Sequence, residues 1–371
     1  SNKPVVKPNL AMKPLFWKKI QVDTVGTYCL WEILKEPDVD FSEFEDMFSK
    51  TATKKKTSSI INKKLKSKEK PEEAEIETIR SFMQQQPDAS LDRPEQFIYE
   101  LSSIPCFADR CYCFIFQSTF VESLASIEQR LVNIRLVTEC LMNSQEIQKI
   151  MAMILAFGNY MNGGTIRGQA DGFALDILSK LKDVKNKDNT FSLLEYLVTT
   201  YLRSKLPSLK DHNMPLPVPE PSDVMQAANV NFDDLEAELN KVSNSLESCM
   251  SKVACVLRGS SPATLEPFQS KMNKFIIYAR QSLQEQENNL KDSVKKFNNC
   301  VTFFMVKPKP AESSVSPKDF FSLWFSFCQD FKDIWKKEIQ KILKERYTKF
   351  HNLNFICFSF MNVPSFLIHK K

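Results

Sequence analysis

Glycine and histidine are both scarce in this sequence. The 371 residues include 7 glycines and 3 histidines, whereas average glycine usage of roughly 7% would give about 26 glycines. Folds that need glycine at many turns, such as β-propellers and large β-sandwiches, therefore fit poorly. Helices tolerate the scarcity, because glycine weakens their interiors. The composition predicts an all-α chain, and the clustering of five glycines within residues 158–172 predicts one special loop.

Sequence motifs for catalysis are lacking as well. HExxH, GxSxG, Walker A and GxGxxG do not occur, and the histidines stand at the scattered positions 212, 351 and 369. We therefore expect no enzyme activity, no cofactor and no metal site, and an enzyme that uses scattered carboxylates is the catalytic alternative left open. The favoured interpretation is a helical protein that acts through its surfaces.

The net charge and the cysteine content limit the possible partners and the cellular compartment of the protein. A net charge of +5 is too mild to argue for nucleic acid as a partner, and an acidic protein surface would fit equally well. Ten cysteines without a CxxC pair favour reduced thiols in the cytoplasm. The first residues have no signal-peptide pattern. The longest apolar stretch, 353–368, has sixteen residues, short of the roughly 20 that a membrane helix needs, so a lipid anchor stays only as an alternative.

Helical periodicity dominates from residue 91 onward. Apolar residues recur at spacings of three and four over 111–141, and short helices are expected over 173–181 and 191–202. Between Phe232 and Val256 the apolar steps alternate strictly between three and four residues, as in a coiled-coil seam. A second long periodic stretch follows from residue 268, so the two helices are expected to form an antiparallel pair.

The glycine-rich loop follows the helical string ILAFGNYMNGG. Gly158 allows a backbone or a large ring to approach closely, and the paired glycines at 163 and 164 allow positive φ where the helix ends. Asn159 and Asn162 can bond backbone groups there. Two interpretations stay open, an elaborate helix cap and a docking site for an aromatic side chain from elsewhere.

The N-terminal segment supplies candidate aromatic side chains. Its tryptophans and phenylalanines stand in separated clusters without a continuous apolar face, so it must bury them against the rest of its own chain or against another copy. These aromatic residues are Phe16, Trp17, Trp31, Phe41, Phe44 and Phe48.

Several strings resemble one known family. GNYMNGG, RGQADGF and LSKLKDVK closely resemble the signature of the formin homology 2 domain, and MKPLFWKKI together with Trp31 resembles its N-terminal lasso. DRPEQFIYELSSIP, PLPVPEP, FFMVKPKP and DFKDIWKKE resemble the formin-1/formin-2 (Cappuccino-like) subfamily. The resemblance covers roughly residues 10–347.

The resemblance implies an elongated all-α architecture of lasso, linker, truncated knob, coiled coil and post, closed into a head-to-tail ring dimer. The implied segments are the end of a proline-containing linker (1–14), the lasso (15–48), a flexible linker with most of the knob missing (49–90), a helical knob or coiled-coil region (91–145), the post core with its loop (146–222), a long helix pair with a C-terminal helix (223–347), and a divergent apolar tail (348–371).

The resemblance also implies roles for particular residues. Lasso anchors for the dimer would be Phe16, Trp17 and Trp31, and the loop that receives them would comprise Gly158, Asn159, Tyr160, Met161, Asn162, Gly163 and Gly164. Actin would meet Lys182 and Lys185, which belong to a basic run with Lys180 and Lys187.

The implied function is actin nucleation and tracking of the growing barbed end by a homodimer in the cytoplasm and cytoskeleton. Profilin–actin delivery would depend on a proline-rich region upstream of residue 1, and the divergent tail argues against a Spire-type nucleator as a partner.

Two departures from the family pattern open a second hypothesis. The chain passes from KKLKSKEKPEEAE directly to EIETIRSFMQQQP, without a counterpart of the knob helix that grips actin. The subfamily's basic polar tail is replaced by FICFSFMNVPSFLI. The alternative is therefore a regulatory or assembly-deficient formin variant that still dimerises.

Overall fold

The computed structural model describes residues 7–9, 12–21, 29–48, 81, 96–97, 100–101, 104–205, 214–310 and 312–361. Within these residues the fold is mostly helical, which confirms the all-α prediction. Apart from residue 81, the expected linker and missing knob at 49–90 lie outside the described residues, as does much of the expected tail. The chain divides into two compact units, one of Ser1–Ala52, Asn133–Val230 and Lys295–Lys371, the other of Thr53–Val132 and Asn231–Val294.

The secondary-structure elements are numbered here along the chain. They are β1 (Lys19–Ile20), α1 (Leu30–Ile33), α2 (Ser42–Phe48), α3 (Phe107–Asn143), α4 (Gln145–Met161), β2 (Gly172–Phe173), a 3₁₀ helix (Leu175–Lys180), α5 (Leu193–Lys205), α6 (Pro221–Ala228), α7 (Phe232–Gly259), α8 (Pro262–Leu265), α9 (Phe268–Phe303) and α10 (Pro317–Met361).

Helix α4 forms the centre of the first unit. Ser144 caps its start by accepting the Ile147 amide at 3.3 Å, and nearly every later residue of the helix is buried. Helix α5 begins at a reciprocal cap, in which Ser192 and Glu195 each accept the other's backbone amide, at 3.1 and 2.7 Å. Helix α10 packs on α5, α6 and the 3₁₀ helix. Its buried side chains are Phe320, Phe321, Trp324, Phe327, Cys328, Phe331 and Trp335.

A short strand ribbon joins the N-terminal segment to the glycine-rich loop. Strands β1 and β2 pair antiparallel, with Lys19 opposite Phe173, and the Ala174 amide extends the ladder by donating to the Lys18 carbonyl at 3.0 Å. The helix expected over 173–181 is thus shorter than predicted, because the loop backbone first pairs with β1 before the 3₁₀ helix begins.

The second unit is a bundle rather than a simple helix pair. The coiled-coil seam of α7 is buried at six positions between Leu235 and Val256, as its periodicity predicts, and Val242 is half-buried. Helix α3 packs on both long helices: the Phe120 ring lies 5.5 Å from the Phe275 ring of α9, and Arg130 forms an ion pair with Glu238 of α7. The first part of α3 therefore joins the expected pair as a third helix.

Helix α10 extends beyond the boundary expected at residue 347. It continues to Met361, because the sequence contains neither glycine nor proline between Lys318 and Pro364. Among the helices that the described residues form, none has the length and apolar character of a membrane span.

Candidate functional site: an aromatic clamp at the end of α4

The clamp consists of two parts of the first unit. The lasso segment comprises the described residues between 12 and 48, and the receiving loop comprises residues 158–173. Helix α4 ends where the Asn162 amide donates to the Gly158 carbonyl at 3.0 Å. Gly164 then turns the chain with φ +75°, a conformation that favours glycine. A helix cap is therefore present, and its turn creates the surface on which the lasso segment lies.

Trp17 packs directly on the helical glycine of the motif. A Cβ atom added at Gly158 would lie 2.0 Å from the Trp17 ring, so only glycine leaves room for the indole. The indole N–H donates to the Arg167 carbonyl at 3.2 Å. The ring also stacks on Phe173 with centroids 5.5 Å apart. Gly158 thus allows the close approach that the sequence predicts, and Trp17 is the aromatic side chain that makes it.

Trp31 uses a second glycine in the same way. A Cβ atom at Gly172 would lie 2.4 Å from the Trp31 ring, and the Phe173 ring lies 4.8 Å from the indole, tilted by 58°. Both tryptophans are buried. Gly172 and Phe173 were not among the predicted site residues, although both belong to the RGQADGF string that carries the family resemblance.

Two asparagine side chains at the end of α4 form hydrogen bonds with backbone groups, one in the lasso segment and one in the receiving loop. Asn162 accepts the Leu15 amide at 3.1 Å and donates to the Leu15 carbonyl at 3.0 Å. Asn159 makes the same reciprocal pair with Ala170, at 2.7 and 2.9 Å, and donates to Glu36 at 3.1 Å. One amide therefore holds the lasso backbone, and the other holds the loop itself closed.

Tyr160 contacts the second half of the lasso segment. Its ring stacks on Phe41 with centroids 3.9 Å apart, and its hydroxyl donates to the Glu45 carboxylate. Burial and the neighbouring Glu45 raise the pKa of Tyr160, so the hydroxyl keeps its proton and remains a donor.

Helix α2 adds two phenylalanine anchors that the predicted set did not include. Phe44 and Phe48 are fully buried. The Phe44 ring lies 5.1 Å from both Phe157 and Tyr196. Their spacing of four residues on one short helix was the available sequence signal.

Other predicted site residues occupy different positions. Phe16 is 64% exposed, with the Arg167 guanidinium 4.8 Å from its ring centroid, so it is not a buried anchor. Met161 is buried on α4, and Gly163 is half-buried in the turn.

The predicted basic run lies close to the lasso segment. Lys180 pairs with Asp176 at 2.9 Å and Lys182 with Asp330 at 2.7 Å. Among the described residues, none supplies an acidic partner for the half-buried Lys185. Its carbonyl instead accepts the Lys13 ammonium at 2.7 Å, and partial burial lowers the pKa of Lys13.

We expect Asn162→Ala to loosen the lasso segment. The change leaves the buried amide and carbonyl of Leu15 without partners, at a cost of about 1–3 kcal/mol for each group. Urea unfolding and limited proteolysis of the N-terminal segment would measure the effect. The exposed Asn288→Ala on α9 is the control, and equal cleavage rates for the two variants would contradict the assignment.

The arrangement as a whole defines an all-helical protein that holds an aromatic segment of polypeptide on a glycine-lined surface. The sequence profile of the Formin Homology 2 Domain matches residues 70–332. The chain therefore belongs to the formin homology 2 family, as its motifs predict.

Relatives agree with this assignment. The chain is 37% identical over 406 aligned residues to Formin-2 of Homo sapiens, covering 93% of the chain and 24% of that protein. It is likewise 37% identical over 405 residues to Formin of Gallus gallus, covering 93% of the chain and 33% of the relative. Protein cappuccino of Drosophila melanogaster is 37% identical over 267 residues, covering 71% of the chain and 25% of that protein. The chain thus spans a quarter to a third of the length of these relatives.

Proposed function

We propose that this chain assembles actin as a dimer, nucleating filaments and staying on the growing barbed end. Membership of the formin homology 2 family supports the actin partner. The observation that carries the dimer is the clamp, because Trp17, Trp31, Phe44 and Phe48 bury on the receiving loop and its neighbouring helices, as aromatic anchors of protein interfaces do.

The dimer would form by exchange of the lasso segment. In the structure the segment lies on the receiving loop of its own chain, joined to the rest through residues 49–106. The same contacts made by two copies on each other give a head-to-tail interface that closes at two subunits, with every clamp contact retained. The linker would then set how far the two halves of the ring separate.

Actin would meet the basic run beside the clamp. Lys185 is the stronger candidate contact, because its ammonium has no acidic partner among the described residues. Lys182 would first have to release Asp330. We place the protein in the cytoplasm on the actin cytoskeleton, with profilin–actin delivered by sequence upstream and without a Spire-type partner.

We expect Lys185→Ala to slow actin assembly. A lost charge-assisted contact of about 1.5–3 kcal/mol weakens actin binding by roughly tenfold or more. A pyrene–actin assay measures nucleation and barbed-end growth. Lys180→Ala, whose charge is already paired with Asp176, is the matched control and should assemble actin at the parent rate. Equal rates for both variants would remove Lys185 from the interface.

The second candidate is a formin variant that dimerises without assembling actin. The alignment with Formin-2 spans 406 positions, more than the 371 residues of the chain, so the relative carries residues that have no counterpart here. This supports the interpretation of a truncated knob. A dimer by light scattering that neither nucleates nor alters barbed-end growth would establish this candidate, and full nucleation would exclude it.

A further inference from the structure

Two cysteines at the beginning of α3, Cys113 in the helix and Cys106 just before it, each lie beside a cysteine of α7 in the second unit. The Cys113 sulfur lies 3.7 Å from the Cys249 carbonyl oxygen, and the Cys106 sulfur lies 4.0 Å from the Cys255 carbonyl oxygen. Because the two helices run antiparallel, the earlier cysteine on one helix faces the later cysteine on the other. Groups of three or more potential metal ligands are not found among the described residues.

The two pairs differ in their access to solvent. Cys113 and Cys249 are buried, whereas Cys106 is half-exposed and Cys255 is exposed. We name Cys106 with Cys255 the outer pair, and Cys113 with Cys249 the inner pair. Only the outer pair offers a thiol that a water-soluble oxidant reaches without opening the bundle.

The outer pair lies in a groove that glycine keeps open. A Cβ atom at Gly259 would lie 2.9 Å from the Cys106 sulfur, so this sulfur occupies the space between Cys255 and Gly259, one helical turn apart. Cys106 has φ 54°, in the left-handed region that non-glycine residues adopt uncommonly. The backbone is thus turned so that the thiol faces α7 at the point where the chain enters α3.

We propose that Cys106 and Cys255 are a reversible disulfide pair that closes when a hydroperoxide is present. The exposed Cys255 thiolate attacks the peroxide, forming an S–O bond as the O–O bond breaks and hydroxide leaves, which gives a sulfenic acid. The Cys106 thiolate then attacks that sulfur, forming the S–S bond as water leaves. In sum, two thiols and one hydrogen peroxide give one disulfide and two waters, and a thiol reductant reverses the change.

The environment of the thiols sets the order of these steps. Partial burial, with Cys255 nearby, raises the pKa of the Cys106 thiol. Cys255 is also the more exposed of the two thiols, so it meets the peroxide first and Cys106 acts as the resolving partner. Both thiols of the inner pair are buried, so a water-soluble oxidant reaches them more slowly than it reaches the outer pair.

A closed outer pair would join the start of α3 to the end of α7. The cross-link spans the main chain between residues 106 and 255, and a bond across so long a loop restrains the unfolded chain strongly. The bundle should therefore resist unfolding better in the oxidised state. The bond would also fix the start of α3 to the end of α7.

The test treats the reduced 371-residue chain with hydrogen peroxide, alkylates the remaining thiols and maps peptides by mass spectrometry. We expect a Cys106–Cys255 cross-link within one chain that dithiothreitol removes, with the inner pair oxidised more slowly. Thermal unfolding should shift upward by several degrees in the oxidised chain.

Serine variants separate this pair from general oxidation. Cys106→Ser and Cys255→Ser should each abolish the cross-link and the thermal shift. Cys111→Ser, which changes a half-exposed thiol five residues after Cys106 in the first turns of α3, should retain both. A cross-link to Cys111, links only between chains, or continued alkylation of Cys106 and Cys255 after peroxide treatment would overturn the proposal.

Discussion

Gly158→Ala will release Trp17 from the receiving loop. A Cβ atom added at this position would lie 2.0 Å from the indole ring. Gly158 belongs to helix α4, which is buried along most of its length, so the indole rather than the helix is displaced. Overpacking of this kind costs about 1–3 kcal/mol. Tryptophan fluorescence should shift to the red, proteolysis of the N-terminal segment should accelerate, and the proposed dimer should weaken in light scattering.

The control for this variant is the same substitution in a Trp17→Ala chain. Without the indole the new methyl group meets no ring, and alanine is favoured over glycine inside a helix by about 0.5–1 kcal/mol. Gly158→Ala should therefore destabilise the parent and stabilise the Trp17→Ala chain. The change of sign in urea unfolding is the diagnostic result, and destabilisation in both backgrounds would mean that Gly158 serves the helix rather than the indole.

Trp17→Ala combined with Trp31→Ala should convert the proposed dimer to monomer. Truncating a buried tryptophan costs about 3–5 kcal/mol. Both rings also pack on Phe173, so their contributions are coupled rather than independent. Even one such loss corresponds to at least a hundredfold weaker association at about 1.4 kcal/mol for each factor of ten. Light scattering over a range of protein concentrations measures the result.

Phe16→Ala is the matched control, because this neighbour of Trp17 is mostly exposed. It should leave the oligomeric state unchanged. A dimer that persists in the double tryptophan variant would place the interface elsewhere, and the seam of α7 would be the next surface to test.

The sequence predicted those parts of the clamp that leave a local signal. A glycine inside an apolar helix indicates a close approach at Gly158, and isolated tryptophans on a segment without an apolar face indicate that the segment docks. The two long helices α7 and α9 were also predicted, α7 from a strict alternation of three- and four-residue apolar steps, since periodicity is a property of neighbouring residues.

Other parts of the structure depend on contacts that sequence spacing does not encode. A two-residue strand such as β2 has no period to detect, so the partner ring Phe173 was missed. The Lys182–Asp330 ion pair joins residues far apart in the chain, and it leaves Lys185, rather than Lys182, as the better candidate for the proposed actin contact. The four-residue spacing of Phe44 and Phe48 on α2 was present but too short to stand out among the other aromatic residues.

The amide pair between Asn162 and Leu15 has a consequence for how the segment is recognised. Asn162 forms its two hydrogen bonds with main-chain atoms of Leu15, so these two bonds do not depend on the side chain at position 15. Two residues further on, the Trp17 indole lies on Gly158. The two contacts together fix the number of residues between Leu15 and Trp17. With Leu15 bound to Asn162, an inserted or deleted residue would move the indole away from Gly158. The clamp is therefore strict about the spacing between the Leu15 backbone and the Trp17 indole, and the fully buried Leu15 side chain adds its own packing to the first contact.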